Sequence, residues 1–163
     1  MPWLGAPPAD VALATSDLGD SIVSSAKIID ATIALADVAI AAKTEVIGIS
    51  CSDETSDLET GTAKATFHMP YAFTLTGVKA TVTTAPVGSV LTVDINEAGS
   101  TILTTKLTID ASEKTSATAA TAAVIGGAGP ALAADALMTI DIDGIGSSTA
   151  GTGLKVWLVG YQT

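Results

Sequence analysis

The sequence predicts an all-β protein: a jelly-roll-like antiparallel β-sandwich carried behind an extended N-terminal anchor and a trimerising stem. Three observations lead there. From Val46 onward, short runs of Val, Ile, Leu and Thr are separated by turn residues, the pattern of strands with one buried face. Residues 17–45 repeat apolar positions at the spacing of a self-associating seam. Residues 1–16 hold three of the six prolines, and proline, with its fixed φ and missing N–H, opposes both helix and sheet interior.

The first element, MPWLGAPPADVALATS, reads as an extended peptide whose apolar groups need a partner. Trp3, Leu4, Pro7 and Pro8 are its expected docking residues. The second element, 17–45, contains a repeat of seven: Ile29-Asp30-Ala31-Thr32-Ile33 is echoed by Ala36-Asp37-Val38-Ala39-Ile40. Ile22, Ala26, Ile29, Ile33, Ala36 and Ile40 follow 4-3-4-3-4 spacing, and Ile at both seam positions favours three or more chains over two. Ile22, Ile29, Ile33 and Ile40 are therefore the expected oligomerisation residues. Ile28, Leu35 and Val38 lie off the seam, so a lone helix would expose apolar surface around much of its girth. A parallel coiled coil or an intertwined three-chain β stem removes that exposure, and a single helix packed on the downstream domain is the remaining alternative.

The third element, 46–163, is the sandwich. Expected strands are 46–50, 62–68, 72–84, 89–96, 100–109, 121–125, 137–143 and 153–161. In Phe73-Thr74-Leu75-Thr76 and Leu91-Thr92-Val93-Asp94-Ile95 the apolar residues face one way and Thr or Asp the other. Asn96-Glu97-Ala98-Gly99-Ser100 reads as a hairpin loop. Eight such runs fit two packed antiparallel layers, the arrangement of a jelly roll. The Ala/Gly-rich stretch 111–136 is expected to be mostly loop, with Gly126-Gly127-Ala128-Gly129-Pro130 unable to be anything else and one or two edge strands beside it.

Composition narrows the function. There is no Arg, and 7 Lys against 17 Asp+Glu leave a net charge of -10. Nucleic acid and anionic membrane surfaces both require clustered cations, so neither is expected as a partner. Uninterrupted apolar runs are too short for a spanning helix, and no basic residue precedes Lys27, so neither membrane insertion nor an ordinary secretory leader is expected.

Chemistry is sparse. Asp94, Asp110, Asp141 and Asp143 lie inside strands, and Asp141 and Asp143, two apart, share a sheet face. They could hold a cation or act as an acid and base, but no Asp-x-Asp-x-Asp-Gly loop supplies the six to eight oxygens calcium takes. A glycosidase groove would need stacking rings, and the domain has few besides Trp157, which sits in an apolar run as core or interface. The single histidine, His68, has no second His to share a metal. Cys51, the single cysteine, is followed by Asp53 and Glu54, which disfavour a thiolate. No catalytic residue, metal or cofactor is expected.

The run from Phe67-His68-Met69-Pro70-Tyr71-Ala72-Phe73 through Val78-Lys79-Ala80, with Ala85-Pro86-Val87-Gly88-Ser89, Val93-Asp94-Ile95-Asn96, Ile102 to Asp110, Glu113-Lys114-Thr115-Ser116 and Thr139-Ile140-Asp141-Ile142-Asp143, resembles a module of tailed-bacteriophage structural proteins. There it is the C-terminal β-sandwich of fibre or decoration proteins, often preceded by Asp- and Ile-rich stem repeats like those at 29–40. The resemblance covers roughly 67–163, and the Ala/Gly insertion around 126–134 departs from it. It implies a non-enzymatic virion protein, a homotrimer attached through its N-terminus to capsid or tail proteins and displayed on the virion surface. A receptor-binding module for host surface glycan is the alternative.

Overall fold

The computed structural model describes residues 37–163. Trp3, Leu4, Pro7, Pro8, Ile22, Ile29 and Ile33 lie outside the described residues, as does most of the expected stem. A compact unit spans Ala39–Thr163 and is all-β, with every strand pairing antiparallel.

Its strands are β1 (Glu45–Ser50), β2 (Gly61–His68), β3 (Phe73–Thr81), β4 (Leu91–Glu97), β5 (Ser100–Thr101), β6 (Leu103–Thr105), β7 (Leu107–Ile109), β8 (Val124–Ile125), β9 (Ala131–Leu132), β10 (Leu137–Gly144) and β11 (Lys155–Gln162). One sheet has the order β1-β11-β3-β9 and a second has β2-β10-β4-β5, with β7 also on β4; β6 and β8 form a short pair. The first and last described strands are thus neighbours, a contact between distant parts of the chain that leaves β1 on the edge of its sheet.

One core joins the sheets. β11 alternates so that Val156 and Leu158 are fully buried, β10 buries Met138, Ile140 and Ile142, and β4 buries Leu91, Val93 and Ile95. Each such side chain contributes roughly 1.5–3 kcal/mol by leaving water. Phe73 is the ring among the largest fully buried side chains, and it sets a local demand on β11. A Cβ at Gly160 would stand 2.5 Å from the Phe73 ring and 2.1 Å from the Thr74 carbonyl oxygen. Only glycine fits, and the register of β11 on β3 shifts between Val159 and Gly160.

Three expectations need adjustment. The 100–109 run is broken into β5, β6 and β7, because the Thr101 hydroxyl donates to Asp94 at 2.6 Å and accepts the Leu103 N–H at 3.1 Å, turning the chain away from β4. β6 then pairs with β8 instead. The 72–84 run ends at Thr81, where the Val82 N–H goes to Lys114 and the Thr83 N–H to Thr152. Finally, 39–45, assigned from sequence to the stem, belongs to the compact unit. Ile40–Ala42 is a 3-10 turn, the Lys43 ammonium lies 4.7 Å over the Tyr161 ring, and the Tyr71 hydroxyl donates to Glu45. The Gly126–Pro130 loop is where the sequence places it, between β8 and β9.

Candidate functional site

The two sheets present different outer faces. On β2-β10-β4 the positions alternating with the core are polar. Asp141 of β10 stands directly opposite Asp94 of β4, and Thr139 opposite Asn96. Like charges in direct cross-strand register repel, so this pairing requires compensation. It has two sources. Asp141 accepts the Ala63 backbone N–H at 2.7 Å on one oxygen and the Asn96 amide at 3.1 Å on the other. Asp94, only 7% exposed, accepts from the Ile95 N–H at 2.9 Å and from Thr101, and meets the Lys106 ammonium at 3.1 Å.

Lys106 also reaches Asp143 at 2.6 Å. Hydrogen bonds to Asp143 and then Asp94 push its pKa above the ordinary lysine value, so it stays a cation between two carboxylates. The Asp141/Asp143 pair singled out from sequence therefore shares a face as expected, but its members are bound to different partners. Lys106 and Asn96 were not singled out. Their signal is weak, because a polar residue in a half-buried strand ordinarily faces water.

This arrangement neutralises charge rather than moving protons. Among the described residues no group of three or more His, Cys, Asp and Glu is placed to hold a metal ion. His68 is exposed, with its Nδ1 2.8 Å from the Asp135 carbonyl oxygen and 3.2 Å from its carboxylate. The Cys51 thiol is buried and lies 3.7 Å from the Ile49 carbonyl, and burial pushes its pKa up to about 12. It is a poor nucleophile at neutral pH.

Cys51 lies at a cleft of about 310 Å³ that is also lined by Asp53, Asp57, Glu59 and Lys64. The carboxylate of Asp53 serves its own turn. The backbone N–H groups of Ser56 at 2.6 Å and Thr55 at 2.8 Å hold its pKa down to about 2. Half-buried Lys64 and exposed Glu59 stand 3.8 Å apart. The cleft brings together no nucleophile with a base.

The outer face of β1-β11-β3 mixes apolar residues with Lys79 and Lys155. Val46 pairs with Val159, and Gly48 with Trp157, so these residues share the side opposite Ile47, Ile49, Val156 and Leu158. The indole lies over Gly48, where an added Cβ would stand 2.6 Å from the ring. Trp157 is thus on the outer surface and half-buried, not in the core. Val46 is 57% exposed and Ile40, the one expected oligomerisation residue described, is 53% exposed. No protein-family model matches the chain, no curated protein is similar to it, and no solved structure matches it.

Proposed function

We propose that this chain is a non-enzymatic structural protein of a bacteriophage virion: a trimeric fibre or capsid-surface decoration anchored by its N-terminus, with the sandwich facing outward. The observation carrying this reading is the contrast between the two outer faces. Carboxylates on the β2-β10-β4 face are taken up by Lys106 and Asn96, whereas the β1-β11-β3 face presents Val46, Trp157 and Val159 beside Lys79 and Lys155. Surface of the second kind suits assembly.

The strand order supports a jelly roll as the finer description. β1, β3, β9 and β11 alternate along the chain with β2, β4, β7 and β10 of the other sheet, as two interleaved Greek keys require. The phage assignment rests on the resemblance at 67–163 together with the stem repeat at 29–40.

Light scattering on the intact chain tests the trimer. A mass that falls threefold on Ile29→Asp with Ile33→Asp is expected; a wild-type monomer at micromolar concentration refutes the stem. Glycan-array binding that persists in that stem variant would instead favour the receptor-binding alternative.

A further inference from the structure

Exposed sheet edges invite pairing with other chains, and natural proteins blunt them by shortness, bulges or lysine. Three edges here are blunted. β9 has two residues, and β5 and β7 have two and three. β2 carries Lys64, holds Ala63 at a φ of 52°, and loses regular register on β10 beyond Ile140. β1 has none of these devices. It runs six residues, Glu45–Ser50, in unbroken register on β11, without Lys or Pro.

The direction of its backbone groups follows from the ladder. The Cys51 N–H donates to the Leu154 carbonyl at 2.8 Å, one step beyond the Ser50–Lys155 pair. Antiparallel pairs alternate between bonded and non-bonded, so Ile49, Ile47 and Glu45 bond to β11. The N–H and C=O groups of Val46, Gly48 and Ser50 then point away from it, and no described strand pairs with them.

We propose that β1 pairs antiparallel with β1 of a second copy of this chain, about a two-fold axis at Gly48 that joins two sheets into one. This register sets Val46 against Ser50 of the second copy and Gly48 against its Gly48, so every outward N–H and C=O of the three residues meets a partner. It sets Ile47 opposite Ile49 of the second copy on the core side. A slip of two residues either way leaves one of the three outward residues beyond the end of the second copy's strand, so the register centred on Gly48 pairs the whole of the open edge.

The contact is separate from the stem and does not rest on it. Light scattering on the full chain, wild type against Val46→Lys with Ser50→Lys, tests it, since the paired lysines face each other across the axis. The expected result is a twofold loss of mass, distinguishable from the threefold loss on disrupting the stem. Amide hydrogen exchange supplies the second measurement. Val46, Gly48 and Ser50 should exchange slowly in wild type and fast in the variant, while Ile47 and Ile49 stay protected in both and report an intact sandwich. An unchanged mass overturns the proposal. So does a wild-type monomer in which Val46, Gly48 and Ser50 are already protected, which would mean that the chain covers its own edge.

Discussion

The outer faces of the two sheets are built from the same kind of strand and solve opposite problems. On β10 and β4, Asp141 and Asp94 face each other, and the repulsion is removed locally by Lys106, Asn96, Thr101 and the Ala63 N–H. On β1 and β11, Val46 and Trp157 are left partly exposed beside glycine. The first face satisfies itself within one chain. The second has apolar area and backbone groups that no described strand covers. Charge alone would make this molecule, at -10, resist self-association, and the β1-β11-β3 face carries Lys79 and Lys155 rather than carboxylates beside its apolar residues.

The largest expected effect breaks the self-sufficiency of the ionic face. Lys106→Met leaves the 7%-exposed Asp94 beside Asp143 without a cation and should lower unfolding stability by about 2 kcal/mol, because a buried acceptor loses a charged partner. Urea denaturation measures it.

The same comparison has a pH signature. Asp143 and Asp94 raise the pKa of Lys106 in the folded protein. Its contribution is therefore complete below the unfolded lysine value of about 10.4 and is lost as pH rises through the higher folded value. Wild type and Lys106→Met should accordingly converge in stability in strongly alkaline solution, while a difference that widens there would reverse the assigned linkage.

The smallest effect belongs to the other face. Lys79 pairs in register with Trp157 and is exposed, without a buried carboxylate depending on it. Lys79→Met should change stability by no more than about 0.5 kcal/mol. A loss equal to that of Lys106→Met would erase the distinction between the faces.

Most strand positions were legible because alternation is local. Phe73-Thr74-Leu75 and Met138 to Asp143 declare their buried sides by polarity. β11 does not. Val156-Trp157-Leu158-Val159 is apolar on both sides, so period two has two phases that polarity cannot separate, and Trp157 could equally have been core. The break in 100–109 was hidden for another reason. It depends on Thr101 meeting Asp94, a contact that exists once β5 has folded back on β4.

The all-β class, most strand positions and the wet side of β3 and β10 are properties of neighbouring residues, and the amino-acid order was sufficient for them. Which side of β11 turns inward, which cation serves Asp94 and Asp143, and which edge stays open depend on cross-strand register. Lys106 and Asp143 lie 37 residues apart, and Glu45 and Gly160 are matched only when the first and last described strands meet. Such contacts are chosen by the packing of both sheets on one core, which no local pattern encodes.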